Sequence, residues 1–183
     1  MSNTALLIID MVNAFDFDGA DALLRQTRRV VPKIVALKRR ANAAGAPVIY
    51  CNDNFGDWRS DFRAVVAECS ADGRPGSALV RRIAPESEDY SILKPKHSAF
   101  YQTALESLLG ALEVRRLVIC GIAGDGCVHS TATDAHIREY EVEVLRDATA
   151  SQTAERNRNA LRHLETTRYA TLGSAARVRF RHA

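Results

Sequence analysis

The chain has no CxxC pair and no Cys/His spacing of a zinc site. No apolar run approaches the ~20 residues that a membrane helix needs. Its four cysteines, at 51, 69, 120 and 127, are too few and too dispersed for a disulfide scaffold. Neither sign of charge dominates: 25 Lys and Arg stand against 22 Asp and Glu, a net charge of +3. A balance that even gives no reason to expect nucleic acid or a membrane surface as partner. Met1 to Thr4 shows no basic segment ahead of an apolar one, so no secretory leader is expected. These absences predict a reduced, cytoplasmic protein. What is present is ordinary for a globular chain: 183 residues, 46% hydrophobic and 26% charged. One domain over residues 1–183 is expected, without repeats or low-complexity segments.

Three short apolar runs, 5–9, 46–51 and 117–122, have the length and continuity of strands buried on both faces of a parallel sheet. Weaker strand candidates lie at 90–93, 142–145 and 169–172. Leu23, Val30, Ile34, Leu37 and Ala41 recur at helical spacing, and Gly45 supplies a stop. Further helices are expected at 59–69, 102–112, 127–139 and 153–165, the last with Thr153 as a candidate N-cap. Residues 72–88 read as a loop with one helical turn at 78–82. Alternating strands and helices predict repeated βαβ units, hence α/β with helices on both faces of the sheet. Arg25, Arg28, Arg29, Lys33, Lys38, Arg39 and Arg40 read as the solvated face of the long helix. The tail, Arg177 to His182, alternates basic and apolar residues. It reads as an edge strand, a subunit contact or a frayed end.

In an open α/β sheet, ligands bind beyond the carboxyl ends of the strands. Asp10 ends the first run, Lys94 ends the strand at 90–93, and Cys127 follows the run 117–122 after a glycine-rich loop. A helix opening at Cys127 aims backbone N–H groups and a positive dipole end at the sulfur, which favours thiolate. The same N–H groups suit an oxyanion. Spacing alone leaves Cys127 open between a nucleophile and a turn of the kind that binds phosphate. Asp10 alone would pass as a helix cap and Lys94 as a surface lysine. Cys51, Cys69 and Cys120 sit in or beside apolar runs and read as small hydrophobes.

At these positions the sequence resembles the isochorismatase-like cysteine hydrolases, which include nicotinamidases and N-carbamoylsarcosine amidases. The resemblance rests on Leu6 to Phe15, on Lys94 to Phe100 with Thr103 and Leu105, on Gly121 to Ala135, and on Asp147-Ala148. It implies a three-layer αβα fold with a six-stranded parallel sheet of Rossmann-like topology, and a triad of Asp10, Lys94 and Cys127. In true isochorismatases glycine replaces the nucleophile. The nucleophile position lies six residues after Gly121 and seven before Asp134, and both counts reach Cys127 rather than Gly126.

The resemblance further implies hydrolysis of a carboxamide or ureide C–N bond in a small molecule through a thioester. The oxyanion would sit on the N–H groups of Gly124 and Cys127, beside a cis peptide at Ala123-Gly124. Gly124 departs from the family's usual threonine. Asn13, Phe15, Phe55 and Trp58 are candidate pocket residues, with core as the other reading of Phe15 and Trp58. His97 reads as a rim or packing residue and Lys96 as solvated. The region after the second strand, residues 52–58, lacks the Asp-x-His of metal-dependent nicotinamidases. Asp53 and Asp57 read there as solvated loop residues, so no metal and no cofactor is expected. A homodimer or homotetramer is expected by the same resemblance. The alternatives are vinyl-ether hydrolysis by Asp10 and Lys94 without the thiol, or a binding protein on an inherited fold.

Overall fold

The structure, a computed structural model, describes residues 3–180. Strands β1 (Thr4–Ile9), β2 (Val48–Asp53), β3 (Tyr90–Lys94), β4 (Arg116–Ile122), β5 (Glu141–Ala150) and β6 (Thr171–Gly173) form one sheet in the order β3-β2-β1-β4-β5-β6. Every pair is parallel. Strand order reverses between β1 and β4, which places the crevice of an open α/β sheet at their carboxyl ends. Asp10 and the loop to Cys127 follow those two strands. The fold is the three-layer αβα arrangement expected from the sequence.

Two faces of the sheet carry two separate cores, because successive strand residues point to opposite sides. Leu6, Ile8, Val48, Tyr50, Val118 and Cys120 pack toward helices α1 (Ala20–Ala43), α2 (Phe62–Ser70) and α3 (Ser77–Arg82). Ala5, Leu7, Ile9, Ile49, Cys51, Leu117 and Ile119 pack toward α4 (Leu105–Ala111), α5 (Cys127–Ile137) and α6 (Ala154–Thr166). Each Leu, Ile or Val side chain fully buried this way contributes about 1.5–3 kcal/mol. The five apolar residues singled out on α1 are all buried. Thr153 caps α6 by accepting the Arg156 N–H. Among the described residues, no helix is long and apolar enough to cross a membrane.

Three details differ from expectation. Lys38 is not on a solvated face: it is 4% exposed and meets Asp89 at 2.6 Å and the Ala84 carbonyl at 2.9 Å. Its partner lies just before β3, a contact no helical periodicity contains. The tail forms no strand through Phe180. Ala175–Arg177 make one 3-10 turn and Val178 is buried, because the core beside α1 accepts it. Arg181 and His182 lie outside the described residues. Finally, β5 runs to Ala150, well past residue 145. Its register against β4 jumps from Ile119↔Val144 to Gly121↔Thr149, and Asp147 sits in that irregularity. Asp147 accepts from the Ala175 N–H and the Ser174 hydroxyl, fastening the chain end there.

Candidate active site

Asp10 leaves β1 with a left-handed φ of 50°, a conformation that aspartate tolerates better than most residues. Its neighbour across the sheet makes this turn possible. Gly121 pairs with Ile9, and a Cβ at Gly121 would lie 2.2 Å from the Ile9 carbonyl oxygen. Gly121 itself has φ 116°, which only glycine adopts readily. The two central strands thus approach closely where the candidate site begins.

Lys94 ends β3 and is wholly buried. Its ammonium donates to three acceptors: Asp10 Oδ2 at 2.9 Å, the Lys96 carbonyl at 3.2 Å and Cys127 Sγ at 3.4 Å. That satisfies all three of its N–H groups. Asp10, 7% exposed, also receives the Asp53 N–H on Oδ1 at 2.7 Å. Cys127 opens α5 as predicted and is half-buried, whereas the other three cysteines are buried. The structure therefore brings together the three side chains that the sequence placed at three strand ends. Thr131 on α5 ties the arrangement down by accepting the Ala99 N–H at 3.0 Å, which joins the loop after Lys94 to the helix of Cys127.

The electrostatics correct one expectation. Burial raises the Cys127 thiol, and the Asp10 carboxylate raises it further, to about 12 despite Lys94. The resting sulfur is a thiol, not a thiolate, since burial and a neighbouring anion both disfavour the charged form. Burial also raises the Asp10 carboxyl, by more than Lys94 and its hydrogen bonds lower it. Burial lowers the Lys94 ammonium, but Asp10 and Cys127 outweigh it and raise it. Burial thus favours the neutral thiol of Cys127, beside a carboxylate of raised basicity that lies against the Lys94 ammonium.

The loop also differs from expectation. The Gly124 N–H donates to the Ala150 carbonyl at 2.8 Å, so it is already used by the sheet and cannot meet an oxyanion. The cis peptide lies at Ile122-Ala123, one step earlier than expected. Among the described residues, the N–H groups of Ala123 and Cys127 donate to no protein acceptor. Phe15 is core, 2% exposed, with φ 55° and its N–H on Asn13 Oδ1 at 2.7 Å. Asn13 therefore shapes that turn. Trp58 is 78% exposed and Phe55 53%, so neither is core, and no hydrogen bond or ring contact joins Trp58 to the triad among the described residues. His97 is exposed and lies against Gly126, at the rim.

Asp53 belongs to the site more closely than its reading as a solvated residue allowed. Its N–H holds Asp10, and its carboxylate lies 3.7 Å from the Lys94 ammonium. Pairing β2 with β3 brings this about, Asp53 opposite Lys94, which no spacing within the sequence announces. Its other carboxylate oxygen accepts the Phe55 N–H, while Asp57 accepts the Arg59 N–H. Among the described residues, no group of three or more His, Cys, Asp or Glu is placed to hold a metal ion.

Known proteins match this chain over most of its length. The isochorismatase domain is matched over residues 4–177. The chain belongs to the isochorismatase family. It is 41% identical over 177 residues to the uncharacterized isochorismatase family protein YaaI of Bacillus subtilis, covering 97% of both chains. It is 33% identical over 172 residues to the ureidoacrylate amidohydrolase RutB of Acinetobacter baylyi, covering 79% of this chain and 69% of that one. The N-carbamoylsarcosine amidase of Thermoplasma acidophilum superposes with a TM-score of 0.72 at 26% identity, covering 97% of this chain and 99% of the other.

Proposed function

We propose that this isochorismatase-family hydrolase cleaves the C–N bond of a small carboxamide or ureide through a thioester on Cys127. The observation that carries the reading is the joint geometry of Asp10, Lys94 and Cys127, with one buried ammonium 2.9 Å from the carboxylate and 3.4 Å from the sulfur. The names of two relatives support the substrate class, since ureidoacrylate and N-carbamoylsarcosine both carry a ureido group.

In the reaction, Asp10 takes the thiol proton as sulfur attacks the carbonyl carbon, so a thiol near 12 never has to ionise alone. Lys94 holds the Asp10 carboxylate in place and offsets the negative charge passing through the site. The N–H groups of Ala123 and Cys127 receive the oxyanion, each donor of this kind contributing about 3 kcal/mol. Protonated Asp10 then gives its proton to the departing nitrogen as the C–N bond breaks. Water, deprotonated by Asp10, cleaves the thioester to the acid and restores the thiol. The reaction uses no cofactor and takes place in the cytoplasm, in a homodimer or homotetramer.

A panel of small amides and ureides, scored by ammonia release, tests this directly. Cys127→Ala is expected to lose at least ~10³-fold in kcat. Equal turnover by the variant would refute covalent catalysis and point to acid–base chemistry by Asp10 and Lys94 alone. No turnover of any substrate by the unmodified protein would point to a binding role.

A further inference from the structure

The loop that presents Ala123 and Cys127 carries glycine at 124, and the space where its side chain would stand is occupied. A Cβ at Gly124 would lie 2.0 Å from Asn157 Oδ1 and 3.2 Å from Asn157 Cγ. Asn157 comes from the first turn of α6, and its amide is held on both ends. Nδ2 donates to the Thr149 carbonyl at 3.1 Å, and Oδ1 accepts from the Ser151 hydroxyl at 3.3 Å. Ser151 in turn accepts the Asp125 N–H at 3.1 Å. One residue earlier, Gly124 itself is bound to the Ala150 carbonyl. Arg156, beside Asn157, holds the Asp125 carboxylate.

We propose that Asn157 is a positioning residue for catalysis: its amide fills the place of a side chain at 124 and locks residues 123–127 against β5 and α6. The role rests on the cysteine-hydrolase reading above, because that loop carries both the oxyanion donors and the nucleophile. Asn157 touches no reacting atom. It acts by fixing the loop, and misplacing a catalytic group by about 1 Å costs on the order of 100-fold in rate. Gly124 and Asn157 are therefore an interlocked pair. An added methyl at 124 must displace the Asn157 amide and its hydrogen bonds to be accommodated, whereas removing the amide leaves only the Thr149 methyl, at 3.0 Å, to give way.

The test is a double-mutant cycle with Gly124→Ala, Asn157→Ala and both together, on an amide or ureide that the unmodified enzyme turns over. Asn157→Ala is expected to lower kcat about tenfold with KM within about twofold, the mark of a loosened transition-state geometry rather than lost ground-state binding. Gly124→Ala alone is expected to lose about 100-fold. Adding Asn157→Ala to it restores about tenfold, as interacting neighbours do. Unfolding midpoints follow the same pattern: Gly124→Ala lowers the midpoint, and the second substitution partly restores it. Unchanged kcat in Asn157→Ala overturns the positioning role, and effects that multiply independently overturn the interlock. If the unmodified protein releases ammonia from no substrate, the proposed activity fails. The midpoints and the alkylation rate of Cys127 then decide the interlock, with additive effects in both overturning it.

Discussion

Replacing Lys94 by methionine keeps most of the side-chain volume and removes one charge from a wholly buried position. In the intact protein that charge lies 2.9 Å from Asp10 Oδ2, and the carboxylate is only 7% exposed. The variant leaves Asp10 with the Asp53 N–H at 2.7 Å as its remaining strong partner. Removing one member of a buried pair costs about 3–5 kcal/mol, since the survivor is an uncompensated buried charge. For a chain of this size that corresponds to a fall of roughly 6–20 °C in midpoint. The loss depends on pH in a determined direction. Burial already raises the Asp10 carboxyl above its unfolded value, and losing Lys94 raises it further. Between the unfolded and folded values the folded variant binds more protons than the unfolded chain, so lowering the pH through that window stabilises it. Urea unfolding at about pH 8 and pH 5.5 is therefore expected to show a smaller deficit at the lower pH. Adding Asp10→Asn is expected to restore most of the stability, because no ion is left unpaired. A deficit that does not change with pH, or a double variant no more stable than Lys94→Met, would refute the buried ion pair as the organising interaction.

Three further expectations follow, two from the same groups and one from a distant pair. The acid limb of kcat/KM reports Asp10 in the free enzyme, so activity falls as pH drops through a value above the ordinary 3.8, and alkylation of Cys127 by iodoacetamide accelerates toward alkaline pH ahead of the three buried thiols. A limb at or below 3.8 would contradict the raised Asp10 carboxyl, and faster labelling of Cys51, Cys69 or Cys120 would contradict the greater exposure of Cys127. Asp89→Ala strands the Lys38 ammonium in the core beside α1 and is expected to cost about 3 kcal/mol in urea unfolding with kcat unchanged. A loss under about 1 kcal/mol would mean that Glu86 and the Ala84 carbonyl suffice for Lys38.

Much of the fold was legible because hydrophobic burial writes itself into local patterns. The runs at 5–9 and 117–122 are apolar at every position because both faces of a central parallel strand are covered. The spacing of Leu23, Val30, Ile34, Leu37 and Ala41 reflects one buried helix face. Less local features were not visible. Lys38 looks like its six charged neighbours on α1, and only the approach of Asp89 from a segment near β3 buries it. Asp53 looked like a loop acid until β3 paired with β2 and set it opposite Lys94. Trp58, large and solitary, carried no periodicity to say which way it faces, and it faces outward.

The sequence by itself determined the class of fold, the order of its elements, and the three side chains at three strand ends. Those follow from the chain's own periodicities and from motif spacing, which are properties of neighbouring residues. Only the tertiary structure decided how those side chains behave. The Cys127 thiol is raised because it shares a buried crevice with Asp10, and desolvation with a neighbouring anion disfavours the charged sulfur. The Gly124 N–H is not free for an oxyanion because β5 continues to Ala150 and takes that N–H for itself. Gly124 is glycine because α6 brings the Asn157 amide into the place its side chain would fill. Each of these depends on contact between segments far apart in the chain, which burial and hydrogen bonding settle only when the sheet has formed.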